Sequence, residues 1–97
     1  MSETEQLRLH AIISGRVQGV GFRGFTATTA QRIGLTGWVR NKVNGTVETV
    51  AEGDQAQLDA FIRQISAGPG PSYVDNVEIQ WLEATGEFSN FQVRWMG

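Results

Sequence analysis

Asn44-Gly45 lies near the middle of this chain, between the strand-like runs "TGWVRNKV" and "TVETVAEG". Asn-Gly in that setting is the strongest short-range hairpin signal, because both residues tolerate positive φ. A hairpin there divides the sequence into two halves of similar plan. Upstream, "LRLHAIIS" alternates. Leu7, Leu9, Ala11 and Ile13 take one face, Arg8, His10, Ile12 and Ser14 the other, which is the pattern of a half-buried strand. Phe22, Thr26, Thr29, Ala30 and Ile33 then share one helical face, and Gly34 suits the stop. Gly24 and several threonines lower the intrinsic propensity of this helix, so packing must hold it.

Downstream, Asp54 and Gln57 form a capping-box pattern ahead of a Leu58, Phe61, Ile62, Ile65 stripe. "AGPGPS" breaks that second helix. "YVDNVEIQWL" reads as a long strand with Val77, Ile79 and Trp81 on one side. After a turn near Gly86, "FQVRW" supplies a last strand with Phe91, Val93 and Trp95 inward. The order β-α-β-β-α-β plus a short C-terminal strand predicts an α+β, ferredoxin-like split βαβ fold, with a mixed sheet and two helices on one face. Residues 1–6 are expected to be a loose tail and residues 7–97 a single domain.

Composition narrows the function. The net charge of -2 and pI near 5.2 argue against a protein devoted to nucleic acid or anionic membranes. With no cysteine there is no disulfide, thiol nucleophile or thiolate metal site. No apolar run approaches the roughly 20 residues of a membrane span, and "MSETEQLR" is unlike a signal peptide. The expected location is the cytoplasm.

"GRVQGVGFR", residues 15–23, places Gly15, Gly19 and Gly21 between the first strand and the first helix. Such a turn offers consecutive free N–H groups that converge on an anion, and the helix dipole favours negative charge there. Glycines let backbone approach an anion closely. Arg23 adds a planar fork of donors suited to two phosphate oxygens. A tight turn with no ligand has the same outward signature, and the spacing matches neither Walker A nor G-x-G-x-x-G.

A second position follows from geometry. A helix from Arg23 to Ile33 descends about 16 Å at roughly 1.5 Å per residue, and the next strand climbs back by a similar amount. The chain regains the level of the glycine loop near Arg40 to Lys42, where Asn41 is the uncharged polar residue. Asn is also common before a hairpin turn. His10 is read as structural or solvent-facing. Arg16 is taken as a surface charge, Glu48 and Glu52 as solvated cross-strand partners, and Trp38, Trp81 and Trp95 as core or sheet-face residues.

"GRVQGVGFR" followed eighteen residues after its arginine by Asn41, within "GLTGWVRN" and then "NGTVETVAEG", resembles the acylphosphatase family. The similarity runs from about Leu7 to Trp95 and includes the ending "EFSNFQVRW". It implies metal-free and cofactor-free hydrolysis of small acyl phosphates to carboxylate and inorganic phosphate. It also implies that Arg23 holds the phosphate and that Asn41 orients the attacking water. The phosphate cradle would be the amides of Val17, Gln18, Gly19, Val20, Gly21 and Phe22. Gly24 departs from the larger side chains usual at its position. Larger proteins carry such a module and use it on carbamoyl phosphate; a chain ending at Gly97 is expected to be the free-standing, monomeric form.

Three alternatives share features with this chain. RNA-binding modules have the same element order, but their Arg-Gly-Phe motif belongs on the third strand, where this chain has no aromatic residue. A metallochaperone would need C-x-x-C. A phosphate-sensing domain would share the loop and Arg23 but has no need of a water-positioning Asn41.

Overall fold

The computed structural model describes residues 5–95; most of the expected tail lies outside the described residues. Five strands and two helices follow in the order β1 (Leu7–Arg16), α1 (Phe22–Ile33), β2 (Thr36–Asn41), β3 (Val47–Gly53), α2 (Gln55–Ala67), β4 (Tyr73–Glu83) and β5 (Phe91–Val93). The sheet order is β4-β1-β3-β2-β5. Every neighbouring pair is antiparallel except β2 and β5, which run parallel. The mixed sheet and split βαβ order agree with the sequence pattern.

The core lies between the helices and one sheet face. Leu9, Ala11 and Ile13 of β1 and Val47 and Ala51 of β3 are fully buried. They meet Phe22, Ala27 and Ala30 of α1 and Leu58, Phe61 and Ile65 of α2. Each half of the αβ plan ends α1 and begins α2 as the sequence suggests. Gly34 caps α1 with its N–H donated to the Ala30 carbonyl, and Asp54 and Gln57 complete a reciprocal capping box on α2.

The hairpin forms, but not with the turn expected of Asn44-Gly45. Asn44 does not have positive φ; Gly45 alone does, at 93°. The Gly45 N–H donates to the Lys42 carbonyl and the Lys42 N–H to the Thr46 carbonyl. That is a type I turn followed by a left-handed glycine bulge, the usual three-residue solution. Asn44 instead uses its Oδ1 to accept bonds from the N–H and hydroxyl of Thr46.

Glu48 and Glu52 are paired across strands as expected, but they are buried, not solvated. They point to the sheet face opposite the helices. The segment after β4 folds back over that face, and the Thr85 and Gly86 N–H groups donate to Glu52 at 2.9 and 3.0 Å. Arg8 Nε donates to the same carboxylate at 2.7 Å. Glu48 accepts from Arg40 Nε at 2.8 Å and lies 2.7 Å from His10 Nε2. Burial alone would raise the pKa of either acid. The bonds from Thr85, Arg8 and Gly86 outweigh it at Glu52, and those from His10 and Arg40 at Glu48, so both lie below the ordinary 4.5.

A depressed folded-state pKa stabilises the fold fully above the unfolded value and progressively less as pH falls through the folded one. Urea midpoints should therefore hold from neutral pH to about pH 5 and fall below it. Glu52→Ala removes the acceptor of Arg8 Nε and of two backbone donors and should cost about 3 kcal/mol at pH 7. In that variant the acid-side decline should be shallower than in the wild type.

Candidate functional site

The loop between β1 and α1 is held by its apolar residues and presents its glycines outward. Val17 and Phe22 are buried, and Val20 packs partly against the core. Gly19 and Gly21 have φ of 76° and 79°, and an added Cβ at either would meet nothing within 4 Å. The first glycine of the motif has a different task. Gly15 belongs to β1, beside a register shift against β4, and a Cβ there would collide with the Tyr73 carbonyl.

Gln18 ties the loop to the central hairpin. Its Nε2 donates to the carbonyls of Lys42 at 2.7 Å and Thr46 at 2.8 Å. Asn41, the last residue of β2, is therefore fixed relative to the loop by a clamp one residue further along. Sequence spacing brings Asn41 to the right level; the Gln18 side chain secures it there.

The two helices begin differently. Asp54 caps α2, whereas α1 has Gly21 at its N-cap, no side-chain cap and no acidic residue in its first turn. Among the described residues nothing accepts from the N–H groups of Phe22, Arg23 and Gly24. Unbonded donors at a helix N-terminus, with the positive end of the dipole, form an anion-binding arrangement. Arg23, half-buried on the second helical residue, has no carboxylate partner among the described residues. Its guanidinium lies 5.9 Å from the centre of the Trp95 ring.

These groups share one cavity of about 300 Å³. Gly19, Gly21, Phe22 and Arg23 form one side, and Asn41 faces them. Gly24, Val93 and Trp95 complete the wall. Of the expected site residues, Val17, Gln18 and Val20 do not line the cavity; they hold the loop by packing and by the clamp. Two buried polar side-chain atoms lack a hydrogen-bond partner among the described residues, Thr26 Oγ1 and Asn41 Oδ1, and Asn41 alone of the two residues lines the cavity. A second cavity, of about 320 Å³, lies beside His10 and Glu78, whose carboxylate disfavours an anion.

Val93 and Trp95 depart from expectation. Phe91 is buried, but Val93 is 48% and Trp95 85% exposed. Alternation along β5 correctly puts the three on one side. It does not reveal that α1 starts at Phe22, so the helix layer ends at the open cavity. In the structure Val93 sits opposite Val39 in the parallel β2–β5 pair, and Trp95, just beyond β5, lines the same cavity as Asn41 at the end of β2.

Fold and cavity together define a split βαβ domain with an anion-binding arrangement at its first helix. The Acylphosphatase family model matches residues 9–93. An acylphosphatase of Pelotomaculum thermopropionicum is 45% identical over 89% of this chain and 94% of its own length. Solved structures give the same answer. An acylphosphatase from Bacillus subtilis matches with a TM-score of 0.88 at 34% identity, over 91% of this chain and 98% of its own. One from Coxiella burnetii matches at 0.87 and 34%, over 93% and 94%. The chain belongs to the acylphosphatase family, and with it to the enzymes that hydrolyse acyl phosphates. Among the described residues no helix is long and apolar enough to cross a membrane.

Proposed function

We propose that this chain cleaves small acyl phosphates with the phosphoryl group held by Arg23 and the amides of the loop from Val17 to Phe22, of which Gly19, Gly21 and Phe22 line the cavity, and the attacking water held by Asn41. The observation that carries this reading is Asn41 Oδ1, a buried acceptor without a partner among the described residues, on a residue lining the cavity with Arg23. Such a group calls for a water or ligand.

The water oxygen forms a bond to phosphorus as the bond to the acyl oxygen breaks. The electron pair leaves on the carboxylate, and the water's proton passes to the phosphate product. A carboxylate departs without protonation, so the step needs positioning and charge stabilisation, not a general acid. His10 is accordingly spent on Glu48, on the sheet face away from the helices. On this reading the enzyme is a metal-independent cytoplasmic monomer, with carbamoyl phosphate among the substrates small enough to enter. Asp75, Glu78 and Glu83 along the exposed β4 edge support the monomer, since like charges oppose edge-to-edge pairing.

Benzoyl phosphate hydrolysis assayed with EDTA present tests the reading. Turnover should persist, with inorganic phosphate a competitive inhibitor. No turnover with or without added metal would refute the reaction, and loss on chelation alone would refute its metal independence.

Gly19→Val probes the cradle. At a φ of 76° a β-branched residue is strained by about 1–3 kcal/mol, and its side chain enters the space proposed for phosphate. Phosphate inhibition should weaken about tenfold or more in a folded protein. Unchanged inhibition would make the loop only a turn.

A further inference from the structure

The cavity is larger than the anion proposed for it. About 300 Å³ corresponds to roughly ten waters at their liquid volume, of which a phosphoryl group fills a minor part. The remaining wall is apolar. Val93 and Trp95 supply it, and Gly24 leaves the adjoining helix position empty, with nothing within 4 Å of an added Cβ. Packing does not account for these side chains, since Phe91 makes the buried contact of β5 while Val93 and Trp95 stand in the open. Exposed large apolar groups grouped beside a cationic pocket mark a binding surface.

Placement relates this wall to the reacting group. Trp95 and Asn41 line the same cavity, and the Trp95 ring centre lies 5.9 Å from the Arg23 guanidinium. A substrate whose phosphate engages Arg23 carries its acyl group one oxygen away, beside Val93 and Trp95. Resting on the phosphate role proposed for Arg23, we infer that Val93 and Trp95 form an acyl subsite that selects aromatic and other bulky apolar acyl phosphates over acetyl phosphate. Trp95 is its specificity-determining residue. A flat aromatic acyl group can stack on the indole, and Gly24 leaves room for it.

Non-hydrolysable phosphonates read this subsite without turnover. The wild-type protein should bind phenacylphosphonate about tenfold more tightly than acetonylphosphonate by calorimetry. Trp95→Ala should bring the two within about twofold, while its affinity for inorganic phosphate moves less than about threefold; Trp95→Phe should keep most of the preference. The ratio of kcat/KM for benzoyl over acetyl phosphate should fall about tenfold in Trp95→Ala. Equal wild-type affinity for the two phosphonates would overturn the subsite. So would a Trp95→Ala protein that loses both phosphonates and phosphate alike, because Trp95 would then act by positioning Arg23. A wild type that hydrolyses neither acyl phosphate would overturn the assigned reaction, and the phosphonate pair would still decide the subsite.

Discussion

Arg23→Ala should give a folded protein that has lost most of its turnover and much of its affinity for phosphate. Arg23 makes no hydrogen bond or ion pair among the described residues, so its removal should change stability by no more than about 0.5 kcal/mol. Its proposed contact is charge-assisted and worth about 1.5–3 kcal/mol toward bound phosphate, which is roughly a ten- to 150-fold weaker inhibition constant. Charge redistributes over the phosphoryl oxygens in the transition state, where a fixed donor contributes more. A fall of about 10²–10³ in kcat is expected. Arg23→Lys should recover little, since one ammonium cannot reproduce two parallel donors from a planar fork. A Lys variant within about threefold of wild type in kcat/KM would overturn the bidentate role.

Asn41→Ala should separate binding from turnover. Arg23 and the free N–H groups of the α1 N-terminus remain, so phosphate inhibition should stay within about threefold while kcat falls about 10²-fold or more. An amide accepts a bond from water through oxygen and donates to a phosphate oxygen through nitrogen. Aspartate keeps the shape, loses the donor and adds a negative charge. At an effective dielectric near 20 and about 5 Å, that charge repels a phosphate charge by roughly 3 kcal/mol. Asn41→Asp should therefore be as inactive as the Ala variant and bind phosphate more weakly. A pH-rate profile for Asn41→Asp in which activity survives and rises as the carboxylate ionises would convert the mechanism to general-base catalysis.

The fold was legible where period alone decides. Leu9, Ala11 and Ile13, and Leu58, Phe61 and Ile65, are buried as their spacing demands. Arg23 and Asn41 were legible as cavity neighbours because helix descent and strand rise bring them to one level. What escaped the sequence depended on contacts between distant segments. Glu52 looked solvated because its cover, around Thr85 and Gly86, carries no periodic pattern, and Glu48 because its partners, His10 and Arg40, come from two other strands. Trp95 looked buried because alternation assigns a side chain to a face but does not say where the opposing layer stops. Gln18 was legible only as a loop amide, while its side chain bridges to carbonyls on the far hairpin.

That Gln18 bridge bears on how far the protein tolerates insertion. Exposed hairpin tips with small or polar residues ordinarily accept extra residues with little loss of stability. Val43, Asn44 and Gly45 are such a tip. Yet Lys42 and Thr46, the two residues flanking it, present the carbonyls that Gln18 grips. Added residues would spread those acceptors and release the glycine loop from Asn41. Grafting or permutation at this tip is therefore gated by activity, through a tether on the opposite side of the cavity, and not by the cost of lengthening the loop.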